Sequence, residues 1–171
     1  MTGKIIVATD GSATGNRAVD FAATLSDKFG QDLCVVHVLM YGRPTKEFAS
    51  MAEIEGIELP FMPYDTGRKT SVPPRFPSAS EEMAIAKAIT ALGDRIAEHA
   101  KRRAEDAGAL NVTTRICTGD TADEILEVAK AEKAEVLVLG RRGHGRVREV
   151  LLGSVSQKVL HHTGCTVIIV Q

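Results

Sequence analysis

EVLVLGRRGHGRVREVLLGSVSQKVLHH, residues 135–162, is the stretch that decides the fold. Glu135–Leu139 is a short, almost wholly apolar run, with the length and β-branched character of a buried strand. Gly140 ends it. Ser154–His162 reads as a short helix. Between them stand further glycines at Gly143, Gly145 and Gly153. Arg141, Arg142, His144, Arg146 and Arg148 crowd positive charge into eight residues, and Glu149 is the only nearby acid. A buried strand that empties into a glycine-rich loop and then a helix is a piece of a parallel α/β sheet.

Working outward, the same alternation recurs. Lys4–Thr9 (KIIVAT) predicts a strand. Thr14–Phe29 carries Ala18, Phe21, Ala22, Leu25 and Phe29 at helical spacing, and Gly30 stops it. Asp32–Met40 predicts a second strand. Glu81–Ala107 repeats the helical period through Ile85, Ala88, Ile89, Leu92 and Ile96. Asn111–Cys117 alternates apolar and polar, as a strand with one wet face does. Thr121-x-x-Glu124 reads as a capping box opening a helix to about Ala131. Cys165–Val170 closes the chain as a last strand. The expected fold is α/β, doubly wound, with a five-stranded parallel sheet in the order 3-2-1-4-5. The third strand then lies at an edge, and the winding reverses between the first and fourth strands.

The 171 residues, 44% hydrophobic and 25% charged, suit one globular domain spanning 1–171. All six prolines fall between Pro44 and Pro77. Tyr41–Ser80 is therefore read as an insertion, with a short helix near Lys46–Glu55, of the kind that serves as a lid or mobile segment. No apolar run approaches the roughly 20 residues that cross a bilayer. The first ten residues are too short in apolar character for a leader, so a cytoplasmic protein with no membrane partner is expected. The formal charge of −1 lacks the basic excess of a nucleic-acid binder. With no Trp and 4% aromatics, the composition also argues against a stacking platform for single strands. Cys34, Cys117 and Cys165 have no CxxC spacing and read as small buried hydrophobes.

In open α/β sheets, ligands sit beyond the carboxyl ends of the strands where the winding reverses. The first strand ends at Thr9-Asp10-Gly11-Ser12 and the fourth at Leu139-Gly140. Ser154 reads as the cap of the last helix, leaving N–H groups near Val155 and Ser156 to face an anion. Successive N–H donors beside arginines are what a polyphosphate requires.

The spacing Gly140-x2-Gly143-x9-Gly153-Ser154 resembles the nucleotide-binding signature of the universal stress protein family. So do the first strand ending in Asp10, His37-Val38 on the second strand, and the pattern of the last strand. The resemblance covers the chain except 41–80. It implies a Rossmann-like adenine-nucleotide alpha-hydrolase-like fold and an ATP-binding homodimer acting in stress response. By that likeness Thr9 and Asp10 stand at the ribose or adenine, the Val38 backbone holds the adenine, and Leu139 and Gly140 line the adenosine. Gly143, Gly153, Ser154 and Val155 cradle the phosphates. His144 lies in the matching loop. Arg141 and Arg142 are outside the signature and are optional phosphate contacts.

Each residue also has a plainer reading. Asp10 can simply cap the first helix or its preceding turn, Ser154 can cap the last helix, and the arginine cluster can be a solvated loop face. Gly119-Asp120 reads as a turn and cap, and His37 as a satisfied core histidine. His161-His162 suits a helix C-terminus. Gly15 and Gly93 serve packing or local bends. A P-loop would need GxxxxGK[ST], and the first turn, Asp10-Gly-Ser-Ala-Thr-Gly15, is not GxGxxG. A receiver domain would end its third strand in Asp, where Cys117-Thr118 stands. HxGH and SGGxDS motifs are not found. No nucleophile–base set appears, and only Asp10 and Asp120 could help hold Mg²⁺, so slow or absent hydrolysis is expected. The nucleotide, ATP or else ADP or AMP, is then a ligand or switch. The alternatives are a nucleotide-independent interaction module of the same fold and a slow ATPase. The apolar last strand, Cys165 to Val170, lies at an edge and predicts a homodimer through it, helical residues of the insertion being the alternative cover.

Overall fold

The computed structural model describes residues 3–39, 52, 56–57, 78–141 and 152–171. The expected helix at Lys46–Glu55 falls outside them apart from Ala52, which is helical and buried. Most of the 41–80 stretch lies outside them too. Two compact units divide the chain, Met1–Met40 with Gly93–Gln171, and Tyr41–Leu92.

The first unit holds a five-stranded parallel sheet in the order β3-β2-β1-β4-β5, as the alternation predicts. Its strands are β1 (Lys4–Ala8), β2 (Asp32–Leu39), β3 (Leu110–Thr118), β4 (Ala134–Gly140) and β5 (Thr166–Val170). The helices are α1 (Ala13–Phe29), α2 (Ala79–Asp106), of which Gly93 onward belongs to this unit, α3 (Thr121–Ala131) and α4 (Ser154–His162). The central strands are continuous apolar runs because helices cover both faces. Seven of the eight β2 residues are buried. One face packs Ile5, Val7, Leu33, Val35, Val136 and Val138 against Ala18, Val19 and Ala22 of α1 and Ala100 and Ala104 of α2. The other packs Ile6, Val36, Val38, Leu137 and Leu139 against Ala122 and Ile125 of α3 and Val159 of α4. Burying each such aliphatic side chain contributes about 1.5–3 kcal/mol. Leu137 and Ile5, fully buried near the middle of the sheet, carry a full share. β3 and β5 are the edges, and β3 is mostly exposed, in keeping with its alternating sequence.

Several boundaries move for local reasons. Ser78 and Glu81 form a capping box, Ser78 N–H donating to Glu81 Oε2 at 2.7 Å, so α2 begins at Ala79 rather than Glu81. Thr121 does not cap α3. Asp120 does, accepting from the N–H groups of Ala122 and Asp123. An aspartate one residue earlier meets both donors, and Thr121 becomes the first helical residue. Gly30 closes α1 in the left-handed conformation at φ 66°. The cysteines divide: Cys34 is buried as expected, whereas Cys117 and Cys165 are only half-buried because they sit on or beside the edge strands.

At the amino end of the sheet, Glu132 accepts from Lys4 Nζ at 2.6 Å and from Arg115 Nε at 2.9 Å. Hydrogen bonds from Lys4, then Arg115, hold its carboxyl below the usual range. This ties β1 and β3 to the end of α3.

Candidate functional site

All five strands run the same way, so their carboxyl ends share one edge. Ala8 of β1 is level with Leu139 of β4, and Gly140 with Val170 of β5. Thr9-Asp10 and Leu139-Gly140 are therefore neighbours, as the winding reversal requires.

β1 stops short of β2. Its register with β2 ends at Ala8 against Val36, and Thr9 N–H donates to Val36 O at 3.0 Å. Peptide groups alternate sides along a strand, so Val38 turns its N–H and C=O the same way as Val36. They face the space beyond the end of β1. The side chains of Val38 and Leu139 belong to the face covered by α3 and α4. The mouth on that face is bounded by the first turns of those two helices.

The β1–α1 turn is built on its own side chains. Thr9, buried, accepts from Gly11 N–H through Oγ1 at 3.1 Å, and Asp10 Oδ1 accepts from Ser12 N–H at 3.0 Å. Ser12 Oγ accepts from Gly15 N–H and is the helix cap. Asp10 thus shapes the turn and Ser12 caps α1. Of the two plainer readings of Asp10, capping the turn that precedes α1 is the one seen, as an Asx turn, while the cap of the helix itself is Ser12, two residues later.

On the other side, α4 is laced to β4. Arg141 N–H donates to Val170 O and Gly153 N–H to Arg141 O at 2.9 Å. The buried Ser156 hydroxyl donates to Gly140 O at 2.8 Å. Gly153, not Ser154, is the cap residue of α4, and being glycine it brings no side-chain cap of its own. Ser154 is the first helical residue and is exposed. Gly143 and His144, with Arg142, Arg146 and Arg148, lie outside the described residues.

Three helices of this unit open onto the edge. Ser12 caps α1 and Asp120 caps α3, whereas α4 starts on a glycine. The first-turn N–H groups of an α-helix have no intrahelical partner. Those of Ser154 and Val155 stand beside the exit of β4. Lys158, one turn further along α4, bridges to α3. Its Nζ lies 3.0 Å from Asp120 Oδ1 and 2.7 Å from Asp123 Oδ1. The cross-helix bridge and the Ser156 tie escaped the sequence reading, which has no signal for partners 35 or more residues away or for a serine hydrogen-bonded to a preceding strand.

His37 is the buried titratable group beside the site. Its Nδ1–H donates to Thr9 O at 2.9 Å. Burial pushes its pKa down, opposed by that hydrogen bond and by the Asp10 carboxylate. The folded state therefore takes up the proton less readily than the unfolded chain, whose histidine titrates near about 6.5. The stability that neutral His37 contributes is complete above that pH and is lost as pH falls from there toward the depressed folded pKa. Urea melts at pH 7.5 and 5.5 should show a larger acid loss for the wild type than for His37→Asn, whose amide keeps a donor for Thr9 O. Equal losses would assign the acid sensitivity elsewhere.

Among the described residues no group of three or more His, Cys, Asp or Glu side chains is placed to hold a metal ion, and no helix is long and apolar enough to cross a membrane. The universal stress protein family model matches residues 1–60 and 65–171. The chain is 31% identical to universal stress protein YxiE of Bacillus subtilis over 171 residues, covering all of both chains. In structure it is similar to a universal stress protein in complex with cAMP, at TM-score 0.63 and 23% identity, covering 99% of this chain and 97% of the other. It is also similar to the universal stress protein from Archaeoglobus fulgidus in complex with dAMP, at TM-score 0.57 and 19% identity, covering 99% and 98%. The fold, the full-length likeness and the family match agree: this chain belongs to the universal stress protein family.

Proposed function

We propose that the cleft at the carboxyl edge binds ATP as a ligand or switch. The observation that carries this is the glycine cap of α4, which has no side chain to cover the first-turn N–H groups, beside the exit of β4 through Gly140. Backbone N–H groups and the helix dipole at such a terminus favour a phosphate. Val155 and Ser154 supply the donors, and Gly153 lets the phosphates approach the backbone. Val38 offers its peptide groups to the adenine edge, Leu139 offers an apolar wall, and Thr9 with Asp10 borders the ribose. Gly143 completes the phosphate cradle by the family signature, His144 lies in the matching loop, and Arg141 is a further phosphate contact outside the signature. Relatives of the same fold in complex with cAMP and dAMP support an adenine nucleotide as the ligand class; ADP or AMP is the alternative occupant.

A Mg²⁺ ion would come with the phosphates, since this cation keeps several waters and takes few protein ligands. Asp10 is the carboxylate at hand. Binding rather than rapid hydrolysis is the reading, since no nucleophile–base set is legible in the sequence. The protein is read as a cytoplasmic homodimer paired through β5, whose Val167–Val170 are half-exposed at the sheet edge.

Calorimetry with ATP tests the reading. A dissociation constant below about 1 mM is expected, with Gly153→Arg weakening it about tenfold or more by filling the phosphate seat, which is about 1.4 kcal/mol. No heat at millimolar ATP would favour the nucleotide-independent module. Phosphate release above the Gly153→Arg background would favour a slow ATPase. Sedimentation of the same samples reads the dimer.

A further inference from the structure

We propose that Lys158 sets how the cleft distinguishes adenine nucleotides by their number of phosphates, by masking two carboxylates at its mouth; the inference rests on the nucleotide reading above. The first turn of α3 brings Asp120, Asp123 and Glu124 to the carboxyl edge, whereas the first turn of α4 carries no acid. Lys158 spans from α4 to both Asp120 and Asp123. It lies one turn beyond Ser154, about 6 Å along the axis. Helical side chains lean toward the N-terminus, and its ammonium does reach the cap residue of α3. It therefore stands level with the first turns of both helices. That is within about one Debye length, roughly 8 Å at physiological salt, of the N–H groups of Ser154 and Val155.

Asp120, Asp123 and Lys158 together carry one net negative charge, and without the lysine they carry two. Adenosine has no charge to feel this, AMP some, ATP most. Coulomb energy scales with the product of charges, so the influence of Lys158 grows with each phosphate. A structural role is a poor account of the bridge. All three side chains are largely exposed, where ion pairs contribute little to stability. Asp120 caps α3 through the N–H groups of Ala122 and Asp123 without needing the lysine.

The test titrates adenosine, AMP, ADP and ATP into wild type, Lys158→Met, and Lys158→Met with Asp123→Asn, at about 20 mM and 500 mM salt. Asp120 is left intact because it caps α3. At low salt Lys158→Met should bind ATP about three- to tenfold more weakly, ADP and AMP by successively less, and adenosine within about twofold. Adding Asp123→Asn should return ATP affinity toward wild type, and high salt should collapse the series. An equal change for all four ligands, no change, or no rescue by Asp123→Asn overturns the masking role while leaving the nucleotide site standing. Wild type that binds none of the four overturns both.

Discussion

Gly15→Ala should weaken ATP binding about tenfold or more, a loss of about 1.4 kcal/mol, although alanine is the better helix former. Gly15 is buried in the first turn of α1. A Cβ there would lie 2.6 Å from Thr9 Oγ1, 2.9 Å from Asp10 Oδ1 and 3.3 Å from Ser12 Oγ. Real Cβ atoms do not come that close, so the side chains must move. Thr9 is buried and has no solvent to swing into. Its hydroxyl holds Gly11 N–H, and the Asp10 carboxylate holds Ser12 N–H. The methyl group therefore pushes apart the two side chains proposed to border the ribose. Helix propensity favours alanine by up to about 1 kcal/mol, while overpacking costs about 1–3 kcal/mol. Stability should fall by no more than about 2 kcal/mol, so the variant remains folded. Calorimetry on a sample whose circular dichroism matches the wild type isolates the effect. Unchanged affinity would mean that Thr9 and Asp10 are not at the ligand.

The contrast between what was and was not legible in the sequence has a physical origin. Apolar periodicity reports which face of an element is buried, and burial is what a doubly wound sheet imposes on every element. KIIVAT, DLCVVHVL and EVLVL could thus be ordered into a sheet, and the exposed alternation of NVTTRIC marked the edge strand. The strand exits followed from topology, and with them the meeting of Asp10 with Gly140. Caps were harder. Thr121, Ser154 and Asp10 are all good cap types, yet the residues at the cap positions are Asp120, Gly153 and Ser12. Neighbouring cap-type residues compete, and which of them takes the extended backbone is decided by the strand-to-helix turn. Contacts between elements were not legible at all. Lys158 meets Asp120 only because α3 and α4 lie side by side, and Ser156 meets Gly140 only because α4 folds back on β4. Gly15 and Gly93 showed as packing positions without showing against what.

Gly93 gives the largest stability effect expected from a single methyl group. It lies in the middle of α2, where glycine is ordinarily a weak point and alanine would add up to about 1 kcal/mol. Here a Cβ would overlap Leu39 Cδ2 outright and stand 3.3 Å from His37 Cδ2. Both side chains are buried on β2, Leu39 at 5% and His37 at 8% exposure, so neither can retreat cheaply. Gly93→Ala should therefore destabilise the protein by about 1–3 kcal/mol. The sign separates close approach from propensity. Leu39→Ala alone should cost about 2–5 kcal/mol by opening a cavity. That cavity is where the new methyl would go, so the double variant should lose about 1–2 kcal/mol less than the sum of the singles, the coupling expected of residues in contact. Urea denaturation of the four proteins measures it. A gain in stability from Gly93→Ala, or strict additivity with Leu39→Ala, would mean that α2 does not pass over the end of β2 this closely.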